Sequence, residues 1–166
     1  MKIYGVTGWK NAGKTGLMER LVTEICTRGF TVSTIKHAHH NTDVDEPGRD
    51  SYRHRVAGAR QVMLASPNRW ALMTELRGAA EPDLDSLLAR LDPVDLVLIE
   101  GYNNAPHPKI EAHRAVNNKA PLALQNPTIA AVAADGPLAL PTDLPQFDLN
   151  DTAAIADFIL RDQGLI

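Results

Sequence analysis

One stretch near the start of the chain limits what it can be: Gly8-Trp9-Lys10-Asn11-Ala12-Gly13-Lys14-Thr15-Gly16. Residues 8–15 fit Gly-x-x-x-x-Gly-Lys-Ser/Thr, and each fixed position has a physical task. Gly8 and Gly13 let the backbone turn tightly and aim N–H groups at phosphate oxygens. The helix that follows adds the positive end of its dipole. Lys14 reaches the β- and γ-phosphates, and Thr15 offers a hydroxyl to Mg²⁺. The motif requires a strand before it and a helix after it. "KIYGVT", residues 2–7, reads as a buried strand. Apolar residues at Leu17, Leu21, Val22, Ile25 and Cys26 have helical spacing, and Gly29 stops the helix. The run from Gly8 to Gly16 is therefore assigned to a nucleotide. Trp9, Asn11 and Ala12 belong to the cradle, and Lys10 is an exposed lysine near the ligand.

The rest of the chain supplies a sheet to hold this loop. "FTVSTIK" (30–36), "VDLVLIEG" (94–101), "PKIEAHR" (108–114) and "TIAAVAAD" (128–135) read as strands. Residues 51–59, 82–91 and 150–162 read as helices. Apolar strands interleaved with helices predict a mostly parallel sheet covered on both faces, an α/β three-layer P-loop fold. "RQVMLAS" and "RWALMTEL" flank Pro67-Asn68 and predict an inserted β-hairpin. At 166 residues a single nucleotide-binding domain is expected.

Composition narrows the partners. The net charge of −3 offers no broad grip on nucleic acid or an anionic membrane. No apolar run reaches membrane-spanning length and no leader pattern precedes "MKIYGVTG", so a cytoplasmic location is expected. The one cysteine, Cys26, excludes an internal disulfide, and its place in the helical pattern predicts a buried thiol.

A Mg-nucleotide site needs an acid at the carboxyl end of a neighbouring strand. Glu100 ends "LVLIE" and is the candidate; Asp95 stands at the other end of that run. Gly101 lets the backbone approach the γ-phosphate. A second polar stretch, "KHAHHNTDVDEPGRDSYRHR" (36–55), follows the second strand. In it Asp45 or Asp43 can complete the Mg²⁺ shell, and Arg49, Arg53 and Arg55 can hold an anion. His37, His39 and His40 also raise a transition-metal site, without a Cys-x-x-Cys or His-x-x-x-His pair beside them. Lys14, Glu100 and Asp45 are the catalytic candidates. For the base, "NNKAP" (117–121) begins a guanine-reading Asn-Lys-x-Asp pattern but has Pro121 where Asp is needed. Asp135 either reads the base or is a turn acid before Gly136-Pro137.

These stretches together resemble the MobB family, accessory proteins of molybdopterin-guanine dinucleotide biosynthesis. The resemblance runs through "GWKNAGKT", "IKHAHHNTDVDEPGRDSYRHRVAGA", "RWALMTE", "DLVLIEGY" and "PKIEAHR". It implies a dimeric GTP-binding fold with weak GTPase activity. It also implies assistance to the MobA nucleotidyltransferase, which joins GMP from GTP to molybdopterin. Gly8 to Thr15 then bind phosphate, Thr15 holds Mg²⁺, and Glu100-Gly101 form the second nucleotide element. His37, Asp45, Pro47-Gly48 and Asp50 mark the family's loop, with the arginines facing partner or pterin anion. Many relatives carry Glu-Gly-Phe-Lys where this chain has Glu100-Gly101-Tyr102-Asn103. Two alternatives remain: a metallochaperone-type GTPase using the histidines, and a small-molecule kinase.

Overall fold

In the computed structural model, residues 1–38, 43–141 and 143–166 are described. His39 and His40 lie outside them. In chain order the elements are β1 (Lys2–Thr7), α1 (Lys14–Thr27), β2 (Val32–Lys36), α2 (Asp50–Val56), β3 (Gln61–Ala65), β4 (Trp70–Thr74), α3 (Leu84–Leu88), β5 (Leu96–Glu100), β6 (Lys109–His113), β7 (Ile129–Ala134), β8 (Gln146–Asp148) and α4 (Thr152–Asp162). The chain divides into two compact units, one of residues 1–37 with 91–166 and one of residues 38–90.

The first unit holds a six-stranded sheet in the order β2-β5-β1-β6-β7-β8. Every pairing in it is parallel. β5 and β6 flank β1, so Val6 lies in register with both Glu100 and Ile110. All the strands therefore deliver their carboxyl ends to one edge, where α1 begins. At the opposite edge, Asp95 accepts bonds from the Thr31 backbone N–H and hydroxyl, each 2.7 Å, and ties β2 to β5.

One sheet face carries α1 and α4. Tyr4, Val6, Leu96, Leu98, Ile110, Ala131 and Ala133 pack there against Leu17, Leu21, Ile25, Ile155 and Ile159. Asp151 caps α4, accepting a 3.0 Å bond from the Ala154 N–H, a cap worth about 1 kcal/mol. Arg20 locks the two helices, donating to the Thr152 hydroxyl and the Leu149 carbonyl. The buried stripe of α1 is Leu17, Met18, Leu21 and Ile25. It runs one position off the predicted face. Cys26 is consequently exposed rather than a buried thiol.

The other face differs from the helical layer that apolar strands predict. Ile129, Val132 and Ala134 of β7 are covered by Leu122 and Ala123 of a short 3₁₀ turn and by Leu138, Leu140 and Leu144. On the same face β6 turns Lys109, Glu111 and His113 inward, all buried. Buried charge needs partners. The Lys109 ammonium donates to the carbonyls of Ala105 and His107 and to the Thr128 hydroxyl. Glu111 accepts the N–H groups of Leu122 and Ala123 at 2.8 and 2.9 Å, fastening the 3₁₀ turn. Gly5 leaves room for this row: a methyl there would lie 2.6 Å from Cγ of Lys109 and 2.9 Å from Nε2 of His107. β8, three residues long at the sheet edge, has no sequence pattern to announce it. Neither have the 3₁₀ turns Ala115–Asn117 and Leu122–Leu124.

In the second unit, β3 and β4 pair antiparallel with Ala65 opposite Trp70, which is the expected hairpin. α2 is shorter than its pattern, and α3 is reduced to five residues behind an Asp83 cap. Among the described residues no helix is long and apolar enough to cross a membrane.

His107 supplies a pH test of this packing. Burial, with the Lys109 ammonium beside it, pushes the imidazole pKa down from 6.5 to about 4. Between those values the unfolded chain binds the proton and the folded one does not. Stability is therefore greatest above pH 6.5 and falls as pH drops toward 4, by on the order of 2 kcal/mol from this group. In urea titrations the His107→Leu variant is expected to show a flatter pH profile across that window. An unchanged slope refutes the assignment.

Candidate nucleotide site

The loop between β1 and α1 is held by close backbone contact. Gly8 has φ +139°, and a methyl on it would lie 2.3 Å from the Ala112 carbonyl oxygen of β6. Gly13 has φ +92° and leads into α1, where the Leu17 N–H reaches the Gly13 carbonyl at 3.0 Å. Asn11, at φ 64°, takes the left-handed turn between them. Side-chain-bearing residues enter such conformations at a cost, Asn with the least. Ala12 is buried, and its N–H closes a turn onto the Trp9 carbonyl.

The Lys14 ammonium arches back over this loop, 2.8 Å from each of the carbonyl oxygens of Gly8 and Trp9. Desolvation lowers its pKa, Glu100 opposes that shift, and Lys36 adds to it. A cavity of about 340 Å³ opens beside it, lined by Asn11 to Gly16 and by Glu100. Thr15 stands in that lining, and Lys10 is an exposed residue of the loop. The structure thus brings Lys14, Thr15 and Glu100 to one cavity. Glu100 is mostly covered, and its Oε2 is 3.6 Å from Nζ of Lys36.

Gly101 makes a close local contact. It has φ +100°, and a methyl on it would lie 2.6 Å from Cβ of His37. The His37 N–H bonds the Glu100 carbonyl at 2.8 Å, and its ring stacks on Tyr102 with centroids 4.6 Å apart. His37 therefore braces the backbone behind Glu100. Asn103 accepts a 2.8 Å bond from the buried Thr7 hydroxyl, at the last residue of β1.

The other side of the loop adds partners from outside the motif, of which Arg114 was missed in the sequence. Trp9 donates its indole N–H to the Ala120 carbonyl at 2.9 Å, and Nζ of Lys119 lies 5.7 Å from its ring centroid. Arg114, the residue after β6, lays its guanidinium against Gly13: a methyl there would be 3.1 Å from Nε. The only sequence signal was "PKIEAHR" reading as a strand, which puts its last residue at the loaded edge. Asp135, one strand further out, accepts the Ala115 N–H at 2.9 Å. It also lines a 270 Å³ cleft with Gly136, Gln146, Phe147 and Asp148.

The remaining candidates belong to the second unit. Asp45 accepts the Ser51 hydroxyl at 2.9 Å and Nε of Arg55 at 3.2 Å. Arg55 also pairs with Asp43 and Glu75 at 2.8 and 2.9 Å. Its donors are thus spent on three carboxylates. Arg49 pairs with Glu46, and Arg53 lies 3.8 Å from Asp50; both arginines are exposed. Among the described residues no group of three or more His, Cys, Asp or Glu side chains is placed to hold a metal ion.

With this geometry in view, the likeness to known proteins is specific. The family model MobB, molybdopterin guanine dinucleotide synthesis protein B, matches residues 3–135. The molybdopterin-guanine dinucleotide biosynthesis adapter protein of Escherichia coli is 43% identical over 162 residues, covering 96% of this chain and 91% of that one. The adapter protein of Haemophilus influenzae is 43% identical over 159 residues, covering 95% and 86%. The crystal structure of the MobB homolog from Bacillus stearothermophilus superposes with a TM-score of 0.73 at 27% identity over the whole of both chains. The chain therefore belongs to the MobB family.

Proposed function

We propose that this protein binds GTP with Mg²⁺ and acts as the GTP-holding adapter in molybdopterin-guanine dinucleotide biosynthesis, working in the cytoplasm with a MobA-type nucleotidyltransferase. The observation that carries the reading is the Lys14 ammonium held over a loop of positive-φ glycines, beside a cavity that also contains Thr15 and Glu100. A polyphosphate replaces the loop carbonyls as the lysine's acceptor, and charge-assisted bonds to phosphate are stronger than bonds to neutral carbonyls. Thr15 and Glu100 are assigned to Mg²⁺. Asp45 has its oxygens engaged by Ser51 and Arg55, so it reaches a cation only by giving them up.

Slow hydrolysis fits the same geometry. Among the described residues Glu100 is the one carboxylate lining the cavity, and it leans on Lys36. Catalysis on such a site rests on positioning and charge neutralisation, with little beyond them. The guanine base is assigned to the cleft of Asp135 and Asp148 at the ends of β7 and β8. Exposed Arg49 and Arg53 are assigned to the partner or to the pterin phosphate.

A homodimer through the hairpin completes the reading. Met63, Leu64, Trp70 and Leu72 on β3 and β4 are 61%, 56%, 63% and 41% exposed. A two-stranded ribbon is marginal alone, and an apolar one invites a partner.

Three measurements test these assignments. Lys14→Ala is expected to weaken Mg-GTP binding in calorimetry about a hundredfold, from the loss of charge-assisted phosphate bonds; unaltered binding rejects the site. Asp135→Asn is expected to shift preference from GTP toward XTP, and an unchanged ratio removes Asp135 from base reading. In sedimentation velocity the native protein is expected as a dimer and Trp70→Asp as a monomer. A monomeric native protein overturns the hairpin interface.

A further inference from the structure

We infer that Arg114 is a second side-chain cation of the nucleotide site, holding the polyphosphate from the β6 side of the loop. This rests on the GTP reading above. Three observations bear on it. First, chain geometry brings Arg114, an exposed residue, to the side of the loop. Arg114 follows β6, whose Ala112 carbonyl is the group that Gly8 closely approaches, so the strand end and the loop are parts of one packed edge. Its Nε, Nη2 and Cζ stand 3.1, 3.3 and 3.4 Å from where a Gly13 methyl would be.

Second, the position is electrostatically wrong for a merely structural arginine. Gly13 is the residue before α1, so the cation lies at the positive end of the helix dipole. Lys14 is the next residue along, and its own pKa is already lowered by burial and by Lys36. Cations stabilise helices at the other end. A guanidinium there adds to the positive potential that a multiply charged anion meets at this helix end.

Third, Arg114 has no carboxylate partner. Other arginines are engaged: Arg28 with Glu24 and Asp157, Arg55 with Asp43, Asp45 and Glu75, and Arg20 with the Thr152 hydroxyl and the Leu149 carbonyl. Among the described residues Arg114 takes part in no ion pair and its side chain in no hydrogen bond. Nearby acids are otherwise engaged: Asp135 accepts the Ala115 N–H, and Glu111 the two N–H groups of the 3₁₀ turn. Five planar donors left unmatched beside a phosphate loop suit the oxygens of adjacent phosphoryl groups, which they can bridge in pairs. The ligand class is a nucleoside di- or triphosphate, recognised through its phosphate chain.

The test measures binding of GTP, GDP and inorganic tripolyphosphate to the native protein and to the Arg114→Gln, Arg114→Lys and Lys14→Ala variants, with thermal melts to check folding. Arg114→Gln is expected to bind all three ligands about tenfold more weakly, the loss from one charge-assisted bond, with partial recovery in Arg114→Lys. Native-like binding by a folded Arg114→Gln, while Lys14→Ala binds poorly, overturns this proposal and leaves the GTP reading standing. Weakened GTP binding with tripolyphosphate unaffected places Arg114 on the base or sugar and also overturns it. Failure of the native protein to bind any of the three rejects the GTP reading itself.

Discussion

The close pass of the Gly8 backbone by the Ala112 carbonyl is the contact on which the rest of the site depends. A methyl at Gly8 would come within 2.3 Å of that oxygen, so only glycine lets β1 leave the sheet this near to β6. That approach sets where the loop turns, where α1 starts, and which cavity Lys14 and Thr15 line. It also fixes Arg114, two residues beyond Ala112, against the far side of the same loop. A parallel sheet with β1 between β5 and β6 then brings Glu100 up from the opposite neighbour. The β1–α1 loop is thus framed by two strands, one ending in an acid and the other followed by an arginine.

The two units solve the problem of buried charge differently. In the first, Lys109 and Glu111 are neutralised largely by backbone and hydroxyl dipoles, and each bond fastens an irregular segment to the sheet. A long α-helix brings no spare N–H groups along its body, whereas a 3₁₀ turn does, which suits a carboxylate on the strand beneath it. In the second, Arg55 gathers three carboxylates around a short helix and a hairpin that have little apolar core of their own. Arg77 reinforces this by donating to the carbonyls of Arg55 and Ala59. The polar run that looks in sequence like an anion-binding loop spends much of its charge on itself.

Local chemistry made much of the fold and the geometry of the β1–α1 loop legible. The Gly8–Thr15 motif, the apolar run ending in Glu100 and the Pro67-Asn68 turn each carry their geometry within a few residues. What escaped depends on packing between distant segments. The α1 stripe includes Met18 rather than Cys26 because α4 docks on that side. β8 forms because β7 offers it an edge, not because three residues have a period. Arg114 acquires its place from a strand end about a hundred residues along the chain from the Gly8–Thr15 motif. The strand pattern of "PKIEAHR" was visible, but alternation alone suggests that Lys109, Glu111 and His113 face water, and they face inward.

Gly5 is easily passed over, since it lies in mid-strand with no turn to make. Its meaning is volumetric: it is the socket into which the Lys109 stem and the His107 ring are pressed. Residues 5, 107 and 109 therefore form one indivisible volume spread over two strands and a loop. A change at any of them is tolerable only with a compensating change at the others, so across related chains these positions should move as a set. A glycine usually credited to the backbone is here a constraint on which ion the sheet can carry inside it.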